Sequence, residues 1–141
     1  MPVGLRQRRR RICGVAAPRS PLIPHGVLIV DDQPEFLQVA ECVLSGDANV
    51  SVIGTASSGE EAIALVTALA PDLVVLDVQM PGMSGFEAAR RLVAENPGLR
   101  IVMLSADGEP GYEFFARQAG AEAFLTKKEF LDSGLRSLLR S

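Results

Sequence analysis

Short apolar runs alternate with amphipathic segments along residues 26–141. The runs predict five strands, at Val27–Val30, Val50–Thr55, Leu73–Leu76, Ile101–Leu104 and Ala123–Thr126. The third and fourth runs are apolar throughout, and such strands are buried on both faces, as in parallel sheets. Between the runs, apolar side chains recur at helical spacing, as at Phe36, Val39, Ala40, Val43 and Leu44. The pattern predicts an α/β fold, a doubly wound five-stranded parallel sheet with helices on both faces.

Helix start and stop signals agree with this pattern. Pro34 stands where the first helix begins, and capping-box sequences precede the next two helices, Ser58 with Glu61 and Ser84 with Glu87. The run Asn96-Pro97-Gly98 predicts the end of the third helix. A last amphipathic helix is carried by Leu131, Leu135 and Leu138 and is weakened by Gly134.

Polar side chains follow four of the predicted strands: Asp31 and Asp32 the first, Asp77 the third, Ser105 the fourth and Lys127 the fifth. Taken singly, each residue is better explained structurally: a strand-end aspartate often caps a turn or helix, Ser105 could simply end its strand, and Lys127 is one of two adjacent lysines. Ligands of doubly wound sheets, however, bind beyond the carboxyl ends of the strands, where all of these residues would converge. Three clustered carboxylates repel one another unless a cation lies between them, and oxygen ligands with room for water favour Mg²⁺ over Ca²⁺.

Charge divides the chain into two unlike parts. The 141 residues have a net charge of −3, but six of the 14 basic residues lie in residues 1–25, which contain no acid. Residues 26–141 therefore hold 8 basic and 17 acidic side chains. Residues 1–25 also hold four prolines and no apolar period, which predicts a disordered basic N-terminal extension before one domain at 26–141. A transit peptide, or contact with nucleic acid or anionic lipid, stays open for this extension.

The two cysteines, Cys13 and Cys42, are too few and too far apart for a zinc site or a CxxC redox motif. This usage suits a reducing cytoplasm. Cys42 falls on the apolar side of the first predicted helix, so we expect it to be buried. No apolar run is long enough to span a bilayer.

Four motifs carry a resemblance to a known family. They are Val30-Asp31-Asp32, the D-x-x-M-P-x-M-x-G pattern of Asp77–Gly85, Ser105-Ala106, and the G-A-x-x-F-L-x-K pattern of Gly120–Lys127. Through them, residues 26–141 resemble the receiver domain of two-component response regulators. The opening segment Val30–Leu37 looks most like receivers of the NarL and FixJ type. The resemblance implies the flavodoxin-like receiver fold, (βα)5.

The resemblance also implies a role for each site residue. Asp77 would be the phosphoacceptor, the nucleophile that takes a phosphoryl group from a histidine kinase. Asp32, Asp77 and the main-chain carbonyl of Gln79 would bind Mg²⁺ directly, and Asp31 would bind it through water. Lys127 would pair with the phosphoryl group as a compact positive charge.

Two further residues would form a switch. Ser105 would donate its hydroxyl to a phosphoryl oxygen, and Phe124, which lacks the hydroxyl of the commoner tyrosine, would turn inward. Both would report phosphorylation to the face made by the fourth helix, fifth strand and fifth helix. Gln79 and Asp107 stand at positions with which family members tune the lifetime of the phosphate.

The implied partners are a sensor histidine kinase or phosphotransfer protein and a second copy of the chain, in the cytoplasm and without a membrane. The module would carry out only its own phosphorylation and dephosphorylation and would not be an enzyme acting on another substrate. One alternative is a receiver fragment of a NarL-type DNA-binding transcriptional regulator, in which a C-terminal domain beyond Ser141 would bind nucleic acid. A phosphatase of the haloacid dehalogenase type would require Asp-x-Asp, and Asp77-Val78-Gln79 lacks the second carboxylate.

Overall fold

The computed structural model describes residues 25–136, in which five parallel strands form one sheet in the order β2-β1-β3-β4-β5. The strands are β1 (His25–Val30), β2 (Val50–Ala56), β3 (Leu73–Asp77), β4 (Arg100–Ser105) and β5 (Ala123–Thr126). The helices are α1 (Pro34–Ser45), α2 (Gly59–Leu69), α3 (Gly85–Glu95), α4 (Tyr112–Gln118) and α5 (Lys127–Ser133). The predicted doubly wound parallel sheet is confirmed. The predicted disordered extension lies outside the described residues, except for His25, which begins β1.

The helices cover the two faces of the sheet unequally. Helices α1 and α5 pack on one face, where Val27, Ile29 and Phe130 belong to one buried cluster. Helices α2, α3 and α4 cover the other face, where Leu28 and Val30 belong to a second cluster. Successive side chains of a strand point to opposite faces, so the uninterrupted apolar run of β1 supplies both cores.

Helix α5 differs from its prediction. It begins at Lys127, directly after β5, because Thr126 and Glu129 form a capping box in which each side chain accepts a hydrogen bond from the other's backbone N–H. The buried residue that anchors the helix is Phe130, which is fully buried, whereas the predicted Leu131 is 36% exposed. The helix ends at Ser133 before Gly134, whose φ is 60°. The predicted Leu138 lies outside the described residues.

Each of the two predicted capping boxes forms only one of its two hydrogen bonds. Ser58 and Ser84 accept hydrogen bonds from the backbone N–H of Glu61 and Glu87, so both serines cap their helices. The Glu61 carboxylate, however, accepts from the backbone N–H and hydroxyl of Ser57, one residue before the cap. The carboxylate of Glu87 forms an ion pair with Arg91 on the next turn.

The expectation for Cys42 is wrong, because its side chain is exposed. The buried residues of α1 are Ala40 and Leu44, and Cys42 lies midway between them in sequence. Two residues along a helix correspond to about 200° of rotation, which places Cys42 on the opposite side from that buried stripe. In the part of the chain that the structure describes, no helix combines the length and apolarity needed to cross a membrane.

Candidate functional site

The residues singled out at the strand ends converge at one edge of the sheet. Asp31 and Asp32 follow β1, Asp77 ends β3, Ser105 ends β4, and Lys127 follows β5. Strands β1 and β3 are neighbours, and the chain leaves them toward opposite faces of the sheet. This is the topological switch point at which doubly wound sheets form their binding crevice.

Three carboxylates form the centre of the site. One oxygen from each of Asp31, Asp32 and Asp77 lies within 4.8 Å of the others. Asp31 and Asp77 are buried, and Asp32 is half-buried. Asp31 Oδ1 also accepts a hydrogen bond of 2.9 Å from the backbone N–H of Gln33, the residue that precedes α1. One oxygen of Asp31 therefore caps the turn before α1, while the other oxygen faces the cluster.

Lys127 supplies the positive charge of the cluster. Its Nζ lies 2.6 Å from Asp31 Oδ2 and 3.8 Å from Asp77 Oδ2. Asp31 Oδ2 accepts no hydrogen bond of good geometry, so the nearby ammonium compensates it by charge. The ammonium also lies 4.4 Å from the centre of the Phe36 ring. The spacing of Phe36 predicts only an apolar helix residue, and it does not indicate contact with Lys127.

The surroundings of Asp77 make its negative charge costly. Burial and the charge of Asp31 raise the pKa of Asp77 from 3.8 to about 6. Lys127 and the backbone N–H of Gln79 lower that pKa, and the charge of Asp32 raises it. A single ammonium therefore does not balance three carboxylates. An all-oxygen cluster with surplus negative charge fits a hard divalent cation such as Mg²⁺.

The segment that follows Asp77 is shaped to hold its carboxylate at the strand end. The backbone N–H of Val78 donates to the Leu104 carbonyl at 2.9 Å, and that of Gly85 donates to the Val78 carbonyl at 3.0 Å. A Cβ at Gly85 would overlap the carbonyl oxygen of Asp77, so only glycine lets α3 begin this close to β3. Met80 is buried in the core between these two points.

Ser105 and Phe124 lie on the β4 and β5 side of the site. Ser105 is buried, and its Oγ accepts a hydrogen bond of 3.2 Å from the backbone N–H of Asp107. Its pairing with Thr126 places it beside the residue that precedes Lys127. The half-buried Phe124 packs edge-on against Tyr112, with ring centres 6.4 Å apart. Asp31, Asp32, Asp77 and Lys127 thus lie in one cluster, and Ser105 ends β4, the strand beside β3.

Comparison with known proteins decides the family. Residues 27–139 match the sequence model of the response regulator receiver domain. The chain belongs to the response regulator receiver family. A receiver domain is the phosphoacceptor module of two-component signal transduction, so the resemblance seen in the motifs is confirmed.

This receiver domain is similar to three known proteins of different kinds. It is 42% identical over 103 residues to a protein-glutamate methylesterase/protein-glutamine glutaminase of Halalkalibacterium halodurans, covering 72% of this chain and 30% of the relative. The signal receiver domain of NarL from Mycobacterium tuberculosis is 32% identical with a TM-score of 0.77, over 84% of this chain and 95% of that one. The CheX–CheY–BeF3–Mg²⁺ complex of Borrelia burgdorferi has a TM-score of 0.73 and 26% identity, over 83% and 91% of the two chains.

These comparisons confirm the receiver fold and the likeness to NarL receivers, and they do not favour the phosphatase alternative. Receiver domains use Mg²⁺ for phosphorylation, and the carboxylate cluster described above is of the kind that binds it. This receiver domain spans about a third of the length of the methylesterase relatives.

Proposed function

We propose that this receiver domain accepts a phosphoryl group on Asp77 from a sensor histidine kinase or phosphotransfer protein. The observation that carries the proposal is the convergence of Asp31, Asp32 and Asp77 within 4.8 Å, with Lys127 Nζ 3.8 Å from the Asp77 carboxylate. Asp77 is the member of the cluster that belongs to the nine-residue family motif. It is buried at the end of β3, and its carboxylate lies beside the Lys127 ammonium, where it can act as the nucleophile for phosphoryl transfer.

In the proposed reaction, an oxygen of Asp77 attacks the phosphorus of a phosphohistidine. The phosphorus–oxygen bond forms while the phosphorus–nitrogen bond breaks, and the histidine nitrogen keeps the electron pair and takes up a proton. Asp77 must be ionised to attack, and Lys127 favours the ionised form because it lowers the pKa of Asp77. After transfer, the Lys127 ammonium stabilises the charge of the phosphoryl oxygens.

The proposed magnesium ligands are carboxylates of Asp32 and Asp77, the main-chain carbonyl of Gln79, and Asp31 through water. When bound, Mg²⁺ offsets the negative charge that develops on the transferred oxygens. The three carboxylates repel one another, so a cation held between them would favour the ionised form of Asp77.

Ser105 and Phe124 are proposed to carry the switch. The Ser105 oxygen accepts from Asp107 N–H, which leaves its O–H proton free to donate to a phosphoryl oxygen. Movement of Ser105 toward the phosphoryl group would draw residues 107–111 with it. Phe124, packed against Tyr112 of α4, would follow toward the vacated space, and the face of α4, β5 and α5 would change shape.

The proposed setting is the cytoplasm, with a second copy of the chain as a partner for this face. A longer protein containing this receiver would place it in control of an output domain. The methylesterase relatives share only the receiver third of their length, so an enzymatic output is one such arrangement. In a second arrangement, a DNA-binding domain follows the receiver, and that domain would contact nucleic acid.

Intact-mass measurement tests the proposal. Incubation with acetyl phosphate and Mg²⁺ is expected to add one phosphoryl group to the wild-type chain and none to Asp77→Asn. Asp132→Asn is the matched control, because Asp132 is an exposed acid on α5 that forms an ion pair with the exposed Lys128. Absence of phosphorylation in the wild type, or equal phosphorylation of Asp77→Asn, would overturn the proposal.

A further inference from the structure

A side-chain hydrogen bond joins the loop after Asp77 to the start of α4. Gln79 Nε2 donates to the hydroxyl of Tyr112 at 2.8 Å. Gln79 is the second residue after Asp77, and Tyr112 is the first residue of α4. The two residues lie 33 positions apart in sequence, so the bond is a tertiary link between the loop of the acidic cluster and the helix near Phe124.

The main chain and the side-chain amide of Gln79 have different neighbours. Its main chain follows Asp77 by two residues, and its backbone N–H lowers the pKa of the Asp77 carboxyl. Its side-chain amide is instead bound to Tyr112. A glutamine two residues after Asp77 has the reach to place its amide at a group attached to that carboxylate. The hydrogen bond to Tyr112 keeps the amide from doing so.

The Tyr112 hydroxyl is itself held in place by aromatic packing. The ring packs edge-on against Phe86 of α3, with centres 5.8 Å apart, and against Phe124 of β5, with centres 6.4 Å apart. Edge-to-face pairs of this kind restrict ring orientation. The ring is half-buried while Gln79 is exposed, so the fixed partner of the bond is Tyr112 and the movable one is Gln79.

We propose that Tyr112 is a positioning residue for the phosphorylation site: it holds the Gln79 amide against α4 and thereby slows hydrolysis of the aspartyl phosphate. The inference rests on the proposed phosphorylation of Asp77. In hydrolysis, a water oxygen attacks phosphorus, the bond between phosphorus and the Asp77 oxygen breaks, and the products are inorganic phosphate, the free carboxylate and a proton. A released glutamine amide, which is both donor and acceptor, can orient that water.

Tyr112→Phe removes only the hydroxyl and keeps the aromatic packing. We expect the phosphorylated variant to lose its phosphoryl group about two- to fivefold faster than the wild type, the range given by one partly exposed hydrogen bond. Adding Tyr112→Phe to Gln79→Ala, which keeps the Gln79 main chain, should produce no further change. Intact-mass decay after removal of acetyl phosphate gives all four rates.

Tyrosine fluorescence gives a second readout that does not need phosphorylation. Tyr112 is the single tyrosine of the chain, and there is no tryptophan. Gln79→Ala should alter the tyrosine emission, whereas the matched control Gln38→Ala, an exposed glutamine on α1, should not. An unchanged emission in Gln79→Ala would show that the bond does not form and would overturn the inference even if Tyr112→Phe failed to fold.

The remaining outcomes separate this inference from the proposed function. If wild type and Tyr112→Phe are both phosphorylated and lose the phosphoryl group at the same rate, the proposed role of Tyr112 is wrong. The proposed phosphorylation of Asp77 is then unaffected. Equal acceleration by Tyr112→Phe with or without Gln79 would also overturn it, because the effect would not pass through the amide. If neither protein gains a phosphoryl group, both proposals fall.

Discussion

Replacing Asp77 by asparagine should make the metal-free protein more stable. The substitution keeps the shape of the side chain and removes one of three carboxylates that lie within 4.8 Å of one another. The pKa of Asp77, raised from 3.8 to about 6, corresponds to about 3 kcal/mol of unfavourable free energy for the ionised form at full value. Solvent screening at the open side of the crevice reduces this, so we expect a gain of about 1–2 kcal/mol near neutral pH.

The pH dependence of this gain follows from the direction of the pKa shift. A carboxyl whose pKa is higher in the folded state binds more protons folded than unfolded, so stability falls as pH rises from 3.8 to about 6. The asparagine has no such titration. The stability difference between Asp77→Asn and wild type should therefore be largest above pH 6 and should shrink toward pH 4.

Urea unfolding followed by far-UV circular dichroism, with a chelator present, measures this difference. Asp132→Asn is the control and should change stability little at either pH, because Asp132 lies exposed on α5. Addition of Mg²⁺ should stabilise the wild type more than Asp77→Asn, since the metal relieves the same repulsion. A less stable Asp77→Asn near neutral pH, or a stability difference that does not change with pH, would refute the reasoning.

Two further substitutions test how the site is built. Gly85→Ala should destabilise the fold by about 1–3 kcal/mol in urea unfolding, because its Cβ would meet the Asp77 backbone. Gly98→Ala is the control and should change stability little, because a Cβ there meets nothing within 4 Å. Equal effects of the two substitutions would contradict the explanation. Phe36→Leu should slow phosphorylation by acetyl phosphate about two- to fivefold, because it removes a ring that holds the Lys127 ammonium. An unchanged initial rate by intact mass would show that the ring does not position Lys127.

The sheet and the acidic cluster could be predicted because both follow from simple rules. Uninterrupted apolar runs such as Leu73–Leu76 require burial on both faces, and the carboxyl ends of parallel strands meet at one edge. Asp31, Asp32, Asp77 and Lys127 therefore converge as soon as the strand order is known.

Contacts that depend on side-chain packing between distant elements could not be predicted in this way. The ring of Phe36 under Lys127 and the bond between Gln79 and Tyr112 each join residues with no pattern in the sequence. The prediction that Cys42 is buried is wrong because its angular position on α1 lies opposite the buried Ala40 and Leu44. Burial on a short helix depends on the rotation of each residue and not only on its polarity.

The most direct test of the central claim locates the phosphoryl group on the chain. Borohydride reduces an acyl phosphate to an alcohol, so an aspartyl phosphate becomes homoserine. After treatment with acetyl phosphate and Mg²⁺, then borohydride, peptide mass spectrometry should find homoserine at position 77 and unchanged aspartate at positions 31 and 32. Homoserine at either of those positions, or at none of the three while the intact chain has gained a phosphoryl group, would contradict the assignment of Asp77 as the phosphoacceptor.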